Sequence, residues 1–194
     1  MRSLLISGVL AIVFMTPAAA HPSILHGISF AAGVAHPLAG LDHIVAMVAV
    51  GLWAAIKGNR ALWVWPVTFV AVMLIGAALG FAHISLPFVE PGILASVVVL
   101  GLMVAFATDP PIWVGVVIIS IFALLHGHVH GVEGSSLGGG FEYMAGFALA
   151  TATLHAVGIS LAFTLRRAAA SESVNRFVGL ICSIVGIGLY VGVL

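Results

Sequence analysis

Charge is the scarcest commodity in this 194-residue chain: only 6% of its residues are Asp, Glu, Lys or Arg, six acids against six bases. A soluble domain carries about a quarter charged residues to wet its surface. Here 62% of positions are hydrophobic and the mean hydropathy is +1.29. That excludes an ordinary soluble enzyme and a disordered chain, and the lack of a basic patch excludes nucleic acid as a partner. Cysteine is nearly absent too. The single Cys182 allows neither an internal disulfide nor a thiolate metal cluster. No phosphate-binding G-x-x-x-x-G-K-S/T stretch occurs, so ATP hydrolysis within this chain is not expected. Internal repeats and a soluble domain are missing as well. What is left is an integral membrane protein with the lipid bilayer as its solvent. What it has in excess is histidine, nine residues, more than the acids or the bases.

The sequence reads as all-α, a polytopic membrane helix bundle with six transmembrane helices after a cleaved signal peptide. Residues 1–20 form the signal: Arg2 is the positive start, Leu4 to Met15 the apolar stretch, and Ala18-Ala19-Ala20 the small-residue cleavage site. The apolar stretch is shorter than the ~20 residues that span a bilayer. Residues 21–194 then form one six-helix domain. After a short apolar lead-in, Pro22 to Ala35, the spans are predicted at 36–56, 61–84, 91–107, 112–130, 141–165 and 177–194. The separators are 57–60, 85–90, 108–111, 131–140 and 166–176, each rich in Gly, Pro or charge. Small residues such as Gly146 and Ala150, or Gly179 and Gly186, allow close helix packing.

Lys57 and Arg60 fall in the first loop, and Arg166, Arg167 and Arg176 in or beside the fifth. Alternate loops share a side, so every base after the signal faces one way, and the positive-inside rule makes that side cytoplasmic. The expected location is the bacterial inner membrane, with the mature N-terminus and the C-terminus both periplasmic.

On that topology the histidines gather at the outer half. His21, His26, His36 and His43 lie near the outer start of span one, His83 at the end of span two, and His126, His128 and His130 at the end of span four. His155 lies near the middle of span five. Asp42, Glu90, Glu133 and Glu142 are also on the outer side, so the field there attracts cations. An ionisable group inside a bilayer is a functional hypothesis by default. A single one serves equally as a helix-to-helix hydrogen bond, but a cluster with carboxylates on several helices favours a site.

Two stretches carry that site. In His36-Pro37-Leu38-Ala39-Gly40-Leu41-Asp42-His43, the two histidines are seven apart and would share one face of a continuous helix. Asp42 would either orient a ligand or face a neighbouring helix. A helix beginning near Pro37 would aim its N–H groups at the cation and repel it, so either the ligands overcome this or the chain is unwound there. In His126-Gly127-His128-Val129-His130-Gly131-Val132-Glu133, a helix puts His126, His130 and Glu133 on one face with His128 opposite. An extended chain would align the three histidines instead, and the glycines leave both open. Imidazole with carboxylate suits a borderline divalent ion such as Ni²⁺, Co²⁺ or Zn²⁺. Mg²⁺ and Ca²⁺ prefer oxygen, and copper(I) prefers sulfur. The rival reading of the second stretch is a periplasmic loop that binds metal adventitiously.

These residues are similar to the motifs of the HupE/UreJ family. His36-Pro37, Gly40, Asp42-His43, Ala46-Met47 and Val50-Gly51-Leu52-Trp53-Ala54 resemble its signature. His126-Gly127, His130-Gly131, Glu133, Ala150-Thr151 and Leu154-His155 resemble its other polar motifs. The resemblance implies nickel uptake across a bacterial inner membrane, with His36, Asp42, His43, His130 and Glu133 functional and a link to hydrogenase or urease maturation. The resulting expectation is a permease, not an enzyme, with no organic cofactor. Ni²⁺ is its transported substrate (Co²⁺ or Zn²⁺ as alternatives), and its metal residues are His26, His36, Asp42, His43, His126, His128, His130, Glu133 and His155. An intramembrane zinc-dependent hydrolase and a periplasm-facing metal sensor or storage protein are the alternatives. A homo-oligomer is left open.

Overall fold

Gly40 divides what the sequence offers as one span. A computed structural model describes residues 30–136, 140–169 and 172–193. The expected signal peptide, His21 and His26 lie outside the described residues. Seven helices run in order: α1 (Phe30–Ala39), α2 (Leu41–Lys57), α3 (Ala61–Phe81), α4 (Val89–Ala105), α5 (Ile112–Ser136), α6 (Phe141–Ala169) and α7 (Glu172–Tyr190), with no strand among the described residues. The chain is all-helical, as its composition predicts.

The expected helix over 36–56 is corrected to a broken one. Part of the supposed lead-in is itself helical, as α1, and its axis meets α2 at 88°. Gly40 between them is extended (φ −98°, ψ 121°), and its carbonyl accepts the first α2 bond from the Ile44 N–H at 3.1 Å. Pro37 sits inside α1 instead of starting a helix. His36 and His43 therefore belong to different helices, and their shared face is replaced by a corner.

The second correction concerns the separator predicted at 131–140. Helix α5 runs on through Ser136, so Gly127, Gly131 and Glu133 are all helical. The glycines are there for contact. A Cβ on Gly127 would collide with the Met73 carbonyl, and one on Gly131 with that of Ala77. From the other side, Gly76 and Gly80 press on the Leu124 and His128 carbonyls. Such backbone-to-backbone approach is what small residues permit in membrane helices, and it outweighs their weak helix propensity. Similar glycine contacts join α1 to α6 through Gly33 and Gly146, α2 to α6 through Gly51 and Gly158, and α4 to α7 through Gly101 and Gly179.

The buried stripe of α3 is Ala61, Trp65, Phe69, Met73, Gly76, Ala77 and Gly80. It is bulky towards its start and small towards its end. The bulky half packs with Trp53 of α2, whose ring lies 4.3 Å from that of Trp65. Lys57 pairs with Asp109, Trp53 Nε1–H donates to the Thr108 carbonyl at 3.1 Å, and Arg166 donates to the Ile56 carbonyl at 3.4 Å. The end of α2, the α4–α5 connection and the last turns of α6 thus meet at one end of the bundle, opposite the histidine cluster. The outward faces are apolar: Trp63, Val67, Ile75, Trp113, Val117, Ile121, Leu149 and Ile184 are all exposed. A water-soluble monomer would not bare so much. Helices α3, α5 and α6 are long and apolar enough to cross a bilayer, and the bent α1–α2 pair passes the same test jointly. The remaining apolar helices, α4 and 176–190 within α7, are shorter.

Candidate metal centre

The corner at Gly40 brings the last turn of α1 and the first turn of α2 against α5. His36 comes from α1, Asp42 and His43 from α2, and His126, His130 and Glu133 from one face of α5, the helical one of the two arrangements its sequence allowed. Together with Glu90 from the first turn of α4, His36, Asp42, His43, His130 and Glu133 line an open cleft of about 510 Å³. The cleft grades inward: the His36 and Glu133 side chains are 39% and 43% exposed, that of His130 2%.

Two carboxylate–imidazole pairs line it. Asp42 Oδ1 lies 2.9 Å from His43 Nδ1, and Glu133 Oε2 lies 2.9 Å from His130 Nδ1. A carboxylate on Nδ1 holds the proton there and leaves Nε2 as a lone pair, the usual arrangement behind a metal-binding histidine. The two Nε2 atoms are hydrogen-bonded at 2.5 Å, so one of them carries a proton that an incoming cation would displace. With metal–nitrogen bonds of about 2.0–2.1 Å, a cation between them needs the pair to open to about 3 Å, a small rotation of either ring. At the cleft mouth, His36 Nε2 is 3.2 Å from Glu133 Oε2. One ligand atom each from His36, His130 and Glu133 lies within 4.8 Å of the others, close enough to hold one ion. Phe147, its ring 4.2 Å from that of His130, and Tyr143, 6.0 Å from His36, form an aromatic wall on α6.

Gly40 serves the site as well as the bend. A Cβ there would meet Asp42 Oδ1 at 2.7 Å and His43 Nδ1 at 2.9 Å. A larger residue at this position would require the Asp42 and His43 side-chain ends to shift.

The remaining expected residues are deeper or turned away. His126 is wholly buried beside His43, ring to ring 5.3 Å. His155 is buried on α6 and donates Nδ1–H to the Met47 carbonyl at 2.8 Å. His128 points off the opposite face of α5, its Nε2 bonded to the Ile84 carbonyl at 2.7 Å, and does not line the cleft. Sequence reasoning placed Glu90 on the outer side without assigning it a role, and passed over Tyr143 and Phe147. Glu90 carried the only available signal, an acid at the start of an apolar helix.

A helical membrane protein with a histidine–carboxylate cluster at one end is the class that this fold and site define. The chain belongs to the HupE/UreJ family: the family model described as "HupE / UreJ protein" matches residues 9–189. It is 45% identical over 177 residues to "Protein HupE" of Rhizobium leguminosarum bv. viciae, covering 91% of this chain and 92% of that relative. No solved structure matches it.

Proposed function

We propose that this chain is a nickel uptake permease of the bacterial inner membrane, with cobalt and zinc as competing cations, feeding hydrogenase or urease maturation. The observation that carries the reading is the pair of Nε2 atoms on His43 and His130, converging across α2 and α5, each backed by a carboxylate. His36 and Glu133 at the mouth capture the ion, and Glu90 adds negative charge to the rim. The cleft opens on the periplasmic side, supported by the gathering of Lys57 and Arg166 at the far end of the bundle. Residues 1–20 act as a cleaved signal, six helices cross the bilayer, and both termini of the mature chain are periplasmic.

The test is uptake of radioactive nickel in cells lacking other nickel importers. His36→Ala, Asp42→Ala and His43→Ala are each expected to lower uptake by at least about tenfold at equal expression, the scale of losses when metal-site residues are removed. Undiminished uptake in all three overturns the assignment.

A further inference from the structure

Past His43 the imidazoles continue into the core. His126 lies next, and the Phe69 ring then stands 5.8 Å from His126 and 5.1 Å from His155. The two histidines that touch Phe69 are held alike. His126 donates Nδ1–H to the Phe122 carbonyl at 2.9 Å, and His155 donates Nδ1–H to the Met47 carbonyl. In both, Nε2 is fully buried and has no hydrogen-bond partner among the described residues. A buried nitrogen lone pair without a donor is costly. Donating one ring N–H to a backbone carbonyl while keeping the other nitrogen bare is how metal-binding histidines are oriented.

We propose that His155 Nε2 is an inner binding point for the permeating divalent cation, and that the Phe69 ring is the barrier separating it from the outer imidazole cluster. The proposal rests on the permease reading and adds a second stage to it. One turn from His155 on α6, the buried Thr151 hydroxyl lies 3.7 Å from the thioether of Met73, itself one turn from Phe69 on α3. The inner point therefore offers one imidazole, while the Thr151–Met73 pair lies one turn nearer the outer cluster. The carboxylates that make the outer cleft a tight site are not part of the inner point. Conduction needs an inner site weak enough to release its ion, and this poorer ligand set meets that need. Gly51 and Gly158 hold α2 and α6 backbone to backbone, with Gly51 against the His155 carbonyl, so the histidine is fixed in place.

The purified full chain, reconstituted in liposomes that enclose a nickel-quenched dye, separates the possibilities. Binding to the outer site is followed in parallel by equilibrium dialysis with radioactive nickel. His155→Ala and His155→Gln are both expected to keep outer-site affinity and to lose flux by about tenfold or more, as removal of a ligand does. Gln matters because it can still donate to the Met47 carbonyl while presenting no imidazole. Phe69→Ala is expected to keep outer-site affinity and raise flux several-fold. Wild-type flux in the His155→Gln variant overturns the inner binding point, and so does loss of outer-site binding in both His155 variants, which marks a structural role. Flux unchanged or lowered in Phe69→Ala overturns the barrier. Wild-type protein that moves no nickel overturns the permease reading itself, a failure distinct from those of the variants.

Discussion

A histidine can ligate a metal with only one nitrogen at a time, so whatever holds the other nitrogen decides what the residue does. In His43 and His130 that partner is a carboxylate, and in His126 and His155 a backbone carbonyl. His128 points off the opposite face of α5, towards the Ile84 carbonyl, which is why its neighbours, and not it, serve the cleft. Asp42 consequently acts through His43 by fixing its tautomer. Asp42→Asn keeps an acceptor on Nδ1 but removes the charge, and is expected to weaken nickel binding roughly 10- to 100-fold by titration calorimetry. Unchanged affinity would remove Asp42 as the orienting partner. Protons compete with the ion for the same lone pairs, so binding should be strongest above the ordinary imidazole pKa of ~6.5 and weaken as pH falls through it. Affinity measured from pH 7.5 down to 5 checks the sign, and a flat profile would exclude imidazole ligands.

Among the elements, glycine decides where helices stop and where they meet. At Gly40 the chain stops, because an extended residue without a side chain both ends α1 and makes room for Asp42 and His43. Gly40→Ala should push that pair apart and lower nickel uptake by about tenfold with expression intact; wild-type uptake would show that the corner tolerates a Cβ. At Gly127 and Gly131 the chain does not stop, since the α3 backbone fills the space that a side chain would take. Gly127→Ala should destabilise the bundle by about 1–3 kcal/mol through overpacking, seen as a lower melting temperature of the detergent-solubilised protein. The same contrast explains what was legible in the sequence. Helices α3 to α7 follow from apolar runs punctuated by charge and proline. The face shared by His126, His130 and Glu133 follows from helical spacing once the segment is helical. Whether a glycine breaks a helix or packs it depends on the neighbouring backbone, so the sequence fits a single span over 36–56 and a loop over 131–140 equally well. Glu90 joins the cleft, and Phe147 packs on His130, through contacts between distant helices that no local spacing encodes.

At the scale of the whole molecule, the charges that cancel in the sum are unevenly placed along the bundle axis among the described residues. Lys57 and Arg166 lie with Asp109 at the end where Trp53 and Trp65 close the packing, while His36, Asp42, Glu90 and Glu133 ring the cleft at the other. This polarity gives a cation an attractive entrance and a closed far end, an arrangement that works for uptake only if the cleft faces the periplasm. Orientation is therefore the property on which the proposed direction of transport depends, and it can be read without any metal. Alkaline phosphatase gains its disulfides and activity only in the oxidising periplasm. Fused after Gly58 or after Asp109, at the base-bearing end, it should stay inactive. Fused after Ile84, beside His128 at the histidine end, it should be active. Activity at Gly58 with none at Ile84 would turn the cleft towards the cytoplasm, and the same cluster would then be placed to bind metal before export instead of on entry.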